Sequence, residues 1–124
     1  MRVAHAAAVL AHSPYSKIQV GAALVSTSGE IFTGCNVENA SFGLTICAER
    51  AAVAKAVAAG VTTFRTLAIA SSQPHPLMPC GACRQVLREF ATDLVIHVQG
   101  REGPRVDTTL AELLPRSFGP SDLG

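Results

Sequence analysis

The chain has no tryptophan and a single tyrosine, and its five phenylalanines leave it little aromatic surface for sealing a pocket unaided. It also lacks any run of basic residues: ten Lys and Arg stand against nine Asp and Glu, for a formal net charge of +1. That balance excludes a protein whose affinity comes from neutralising phosphates. No window approaches the roughly eighteen uninterrupted apolar residues of a membrane-spanning helix, and no basic region precedes an apolar core and cleavage site. The expected compartment is cytoplasmic, where thiols stay reduced and available to a metal. With no internal repeat or low-complexity linker, and a hydrophobic content of 48%, residues 1–124 are expected to form a single domain.

What the chain does have is four cysteines, three of them in two short clusters, Cys47-Ala48-Glu49-Arg50 and Pro79-Cys80-Gly81-Ala82-Cys83-Arg84-Gln85. Cys47, Cys80 and Cys83 are three potential thiolate ligands for one zinc ion, and three protein ligands leave a fourth position for a water that the metal acidifies. Cys35 offers a fourth ligand and hence a closed structural site, but it has no second cysteine nearby as a paired knuckle would. Cys80-Gly81-Ala82-Cys83 also reads as a redox dithiol. That reading leaves Cys47 and Glu49 unexplained, whereas the zinc reading uses both.

Cys47 to Ala59 reads as an alanine-rich helix with Gly60 as its stop, and Cys80 to Phe90 as a second helix whose first turn suits Pro79. Both clusters then lie at helix N-termini, where unpaired N–H groups and the positive dipole end favour thiolates. Cys47 and Glu49, two positions apart, do not share a helix face. Glu49 is therefore expected as a proton carrier facing the water in front of the metal, not as a ligand. Arg50, Arg84 and Gln85 are nearby donors able to draw charge off the sulfurs, Arg50 foremost; Arg84 equally reads as a solvated arginine.

These two motifs together resemble those of the small homotetrameric zinc-dependent cytidine deaminases with a three-cysteine metal site. The resemblance extends over nearly the whole chain, through Ser13-Pro14-Tyr15-Ser16-Lys17, Val20-Gly21-Ala22-Ala23-Leu24, Gly34-Cys35-Asn36-Val37-Glu38-Asn39-Ala40, Leu113-Leu114-Pro115, Phe118 and Asp122-Leu123. It implies one zinc per chain on Cys47, Cys80 and Cys83, Glu49 as the proton carrier, and a substrate pocket using Asn36, Glu38, Ile18, Ala40, Phe42 and Phe118, with Arg50 and Gln85 behind the ligands. Asn36 and Glu38 on composition alone are a polar strand end with an Asx turn; by resemblance they hold the ribose 3′-hydroxyl, and the carboxylate would repel a phosphate there. Ile18 stands where relatives usually carry a phenylalanine over the pyrimidine, and Phe42 where they carry a tyrosine. Phe118 either caps its own core or, by resemblance, reaches a neighbouring subunit's pocket in a homotetramer.

Along the chain, Arg2 to about His12 reads as a helix whose leading part is shortened relative to the family, and His5, His12 and His75 as surface or helix-end residues. Lys17 to Val25 and Glu30 to Val37 are strands joined by a tight turn at Thr27-Ser28-Gly29. Phe64 to Ala70 is a buried strand, Ser71 to Met78 a loop, Leu94 to Val98 and Arg105 to Asp107 the last strands, and Thr109 to Leu113 a short helix. The linker between those last strands is too short for a parallel crossover, so they are expected to be antiparallel. That connection distinguishes the free-nucleoside deaminases from polynucleotide-acting relatives, which insert a helix there. The expected fold is α/β, a three-layer α/β/α sandwich around a mixed five-stranded sheet.

The activity implied by resemblance is hydrolytic deamination of free cytidine and deoxycytidine to uridine and deoxyuridine, in pyrimidine salvage, with no nucleic-acid or membrane partner. Two other classes stay open: a zinc deaminase acting on a different amino-pyrimidine compound, and a catalytically silent zinc-binding module.

Overall fold

A computed structural model describes all residues from Met1 to Gly124. Helix α1 (Arg2–Ala8) leads into strands β1 (Val20–Ser26) and β2 (Ile31–Cys35), followed by α2 (Ala48–Ala58), β3 (Phe64–Ser71), α3 (Gly81–Arg88), β4 (Val95–Gln99), β5 (Val106–Thr109) and α4 (Leu110–Leu113). The five strands form one sheet in the order β2-β1-β3-β4-β5. Only β3 and β4 run parallel, with α3 as their crossover, whereas β4 and β5 form the expected antiparallel hairpin. No helix is long and apolar enough to cross a membrane.

The two faces of the sheet are packed differently because the side chains alternate in size as well as polarity. On one face Ala23, Ala68 and Ala70 meet Ala4 of α1, a contact of small residues that lets the helix lie close. On the other face Leu24, Leu67, Ile69, Ile96 and Val98 form the main core with α2 and with Leu87 of α3. The arrangement is the expected three-layer sandwich with a mixed five-stranded sheet.

Helix α2 contacts this core through Ala48, Ala52 and Ala56, all with no exposed surface. Gly34 of β2 makes the approach possible: a Cβ there would stand 2.3 Å from the Ala48 carbonyl oxygen and 2.6 Å from the Ala52 nitrogen. The first turn of α2, which carries the Cys47-Ala48-Glu49 motif, therefore rests directly on the sheet. Its far end stops where expected, at Gly60 with φ of +83°.

Boundaries differ from the sequence expectation at several places: β2 ends at Cys35, not Val37, α3 at Arg88, not Phe90, and β5 runs on to Thr109, while three other differences have a visible cause. Helix α1 ends at Ala8 because the main chain of His12 pairs with that of Asn36 and Glu38, which draws the chain away from the helix axis. Strand β1 begins at Val20, not Lys17, since Lys17 adopts a left-handed φ of 63° that no strand accommodates. Helix α3 begins one residue later than expected, with Cys80 as its N-cap, so Pro79 lies buried just outside the first turn.

Candidate metal and substrate site

Cys47 is the N-cap of α2, Cys80 the N-cap of α3, and Cys83 lies in the first turn of α3. The packing of α2 beside α3 brings all three sulfurs within 4.8 Å of one another. The Cys47–Cys80 and Cys80–Cys83 sulfur separations are 3.9 and 3.5 Å. A tetrahedral ion with Zn–S bonds of about 2.3 Å sets its sulfurs about 3.8 Å apart, so the donor set fits zinc in chemistry and spacing. Cys35 is excluded from this group: it pairs with Gly21, whose α-carbon faces α1, and so belongs to the opposite side of the sheet.

The electrostatics of Cys47 and Cys83 agree with such a role. Contact with the Cys83 thiol, and secondarily Arg50, lowers the Cys47 pKa to about 5. The same contact with Cys47, together with burial, pushes the Cys83 thiol well above its ordinary range. Clustered thiols therefore resist simultaneous ionisation, and a cation at their centre reverses that opposition. Arg50 lies 3.5 Å from the Cys47 sulfur through one terminal nitrogen, which also faces the Thr45 carbonyl at 3.4 Å. Its Nε is buried without a hydrogen-bond partner.

Glu49 is 5% exposed and lines a cavity of about 250 Å³ together with Cys47 and Cys80. Burial pushes its carboxyl above the ordinary value, and the neighbouring Cys47 charge adds to the shift. Ile18, Val20, Leu77 and Met78 contribute apolar wall, and Asn36 a polar one. Asn36 is fixed from both ends, its Oδ1 accepting from the Val20 N–H at 2.8 Å and its Nδ2 donating to the Ile18 carbonyl at 2.8 Å. A second hollow of about 420 Å³ adjoins the first through Ser16 and Thr45, and is bordered by Glu38, Phe42 and Tyr15. Glu38 accepts from the Tyr15 and Ser16 backbone N–H groups at 3.0 and 3.1 Å and from the Ser16 hydroxyl. The ring of Phe42 meets that of Tyr15 edge-on, with centroids 5.7 Å apart.

Several expected site residues are placed elsewhere. Ala40 lines neither cavity. Gln85 donates to the Phe118 carbonyl at 3.0 Å. Arg84 likewise donates to the Pro79 and Leu113 carbonyls at 2.7 and 2.8 Å, leaving Arg50 as the donor beside a sulfur. Phe118 is 57% exposed and belongs to neither cavity of its own chain. Sequence reasoning missed Thr45, Leu77 and Met78 as pocket walls; the one available signal was that Leu77 and Met78 lead directly into Pro79 and Cys80.

The sequence profile of the cytidine and deoxycytidylate deaminase zinc-binding region matches residues 1–99. A cytidine deaminase of Sporosarcina psychrophila is 46% identical over 114 residues, covering 91% of this chain and 84% of that protein. A cytidine deaminase of Mycobacterium tuberculosis is 44% identical over 118 residues, covering 94% of this chain and 85% of its own length. The crystal structure of the cytidine deaminase from Burkholderia pseudomallei matches with a TM-score of 0.90 at 44% identity, covering 94% of each chain.

Proposed function

The chain belongs to the cytidine deaminase family, and on that premise we propose that it catalyses the hydrolytic deamination of free cytidine and deoxycytidine to uridine and deoxyuridine, releasing ammonia in pyrimidine salvage. The observation that carries the assignment to this chain's own residues is that a three-sulfur metal site and a buried carboxylate border one cavity. Cys47, Cys80 and Cys83 would hold one zinc ion per chain, which when bound acidifies the attacking water. Arg50 draws charge from the Cys47 sulfur.

Glu49 moves the protons. In its ionised form it accepts one from the attacking water and delivers it to N3 of the pyrimidine as the water oxygen bonds to C4; it then takes the remaining proton from that oxygen and passes it to the amine as the C4–N bond breaks, leaving a carbonyl at C4. Its burial suits this task, since a carboxyl with a raised pKa gives up its proton less readily to solvent and retains it for the base. Ile18, Leu77 and Met78 give the base an apolar seat that excludes competing water. The unused amide hydrogen of Asn36 and the free lone pairs of Glu38 suit a ribose hydroxyl, and the Glu38 charge disfavours a phosphate in the same place.

The exposed ring of Phe118 supports a homotetramer in which each pocket is closed by a neighbouring chain. Residues 1–124 act in this reading as one domain, in the cytoplasm, with no nucleic-acid partner. The test is cytidine turnover, followed by ultraviolet absorbance, in the parent and a Glu49→Ala variant of matched zinc content. Turnover lost with zinc retained supports the assignment. A zinc-loaded parent inert to both cytidine and deoxycytidine overturns the substrate, and a panel of other amino-pyrimidines then identifies what the aliphatic wall at Ile18 accepts.

A further inference from the structure

Helix α3 carries two of the three clustered cysteines at its start and grips the C-terminal tail along its length. Arg84 reaches the Leu113 carbonyl at 2.8 Å, Gln85 the Phe118 carbonyl at 3.0 Å, and the Arg88 Nε the Ser117 hydroxyl at 2.8 Å. The Arg88 guanidinium also lies flat against Gly119, where a Cβ would come within 2.5 Å of its Cζ. Gly119 is closed from the other side by Asp122, whose carboxylate accepts its N–H at 2.8 Å. Three consecutive residues, Ser117 to Gly119, are thus immobilised through backbone or short side chains. Yet the large apolar ring between them is left outward and 57% exposed.

A tail held this way with more than half of its aromatic residue exposed spends backbone freedom and recovers only part of the available hydrophobic burial within its own chain. We propose that Arg88 and Gln85 are positioning residues that fix Phe118 for the substrate pocket of a neighbouring subunit, with Gly119 required as the seat of the Arg88 plane. The proposal rests on the reading that Phe118 closes a neighbour's pocket. Because the clamp and the sulfur cluster share one short helix, whatever shifts the first turn of α3 also shifts the presented ring.

The test compares Arg88→Ala, Gln85→Ala, Phe118→Ala and the Arg88→Ala/Phe118→Ala double variant as zinc-loaded full chains. Two readouts are needed: KM and kcat for cytidine, and the rate at which trypsin cuts after Arg116 to release the tail, followed by mass spectrometry. Arg88→Ala is expected to raise KM about tenfold, the scale of one lost aromatic contact, with kcat changed less and tail release faster. Gln85→Ala acts in the same direction and more weakly, being an exposed residue whose loss leaves the fold intact. The double variant is expected to match Phe118→Ala alone, since one contact cannot be lost twice. Arg88→Lys is not expected to rescue, because an ammonium lacks the planar face that Gly119 accepts. Faster tail release with an unchanged KM, while Phe118→Ala raises it, overturns the clamp and leaves the Phe118 reading standing. An unchanged KM in Phe118→Ala overturns both.

Discussion

At the scale of single residues, the carboxylates show how environment divides labour between chemically similar groups. Glu49 is buried and its pKa is raised, whereas Glu38 is held below the usual value of 4.5 by the Ser16 hydroxyl first and by the Ser16 and Tyr15 N–H groups. A depressed carboxyl stays ionised as pH falls through its usual range and protonates only below it. Cytidine KM is therefore expected to stay flat on acidification until below about pH 4.5, the ordinary carboxyl value. In Ser16→Ala the rise in KM begins at higher pH, which a KM-against-pH series would reveal. Glu49→Gln is expected to lower kcat by about a thousandfold, within the range of losing a general acid–base, while zinc content measured by atomic absorption is unchanged. The clustered cysteines were legible because their spacing in sequence is tight and their chemistry unusual. Gln85 was not, because its neighbour in the fold is a carbonyl 33 positions away. No local pattern signals a side chain's choice between a sulfur and a distant backbone group.

At the scale of elements, the strands and main helices were readable from alternation, alanine content and the Gly60 stop, and the short β4–β5 linker correctly implied an antiparallel pair. The failures sit where long-range contacts override local preference. Lys17 sits in an alternating stretch but takes a left-handed φ, in the segment where the N–H groups of Tyr15 and Ser16 donate to Glu38, 23 and 22 positions later. Gly34 illustrates how an element places a site: it is a glycine because the first turn of α2 lies on it. Gly34→Ala must push the Ala48 carbonyl away, at a cost of about 1–3 kcal/mol for overpacking. Since Ala48 lies between Cys47 and Glu49, the variant should also release zinc to a chelator at lower concentration than the parent. Loss of melting temperature without a change in zinc affinity would show that α2 moves as a rigid unit together with α3.

At the scale of the whole molecule, an ion held by Cys47, Cys80 and Cys83 would join the starts of two helices that flank the same cavity, and metal binding and stability would then be linked. Removing zinc with a chelator is expected to lower the melting temperature, by more in the parent than in a Cys47→Ser variant, as scanning calorimetry would measure. What the sequence left open at this scale is whether the exposed apolar residues are covered, because one chain's pattern records which side chains are apolar and not what packs on them. Sedimentation would test the proposed tetramer, and a monomeric chain would overturn it. The sulfur cluster has one further consequence, for the order of assembly. Cys80 and Cys83 are three residues apart, whereas Cys47 and Cys80 are separated by 33. The near pair can capture an ion while most of the chain is still unfolded; the far ligand must first close a loop containing all of α2 and β3, a search whose entropy cost grows with loop length. A metal captured there would serve as an early bookmark on α3, and folding would finish when the beginning of α2 arrived to complete its coordination.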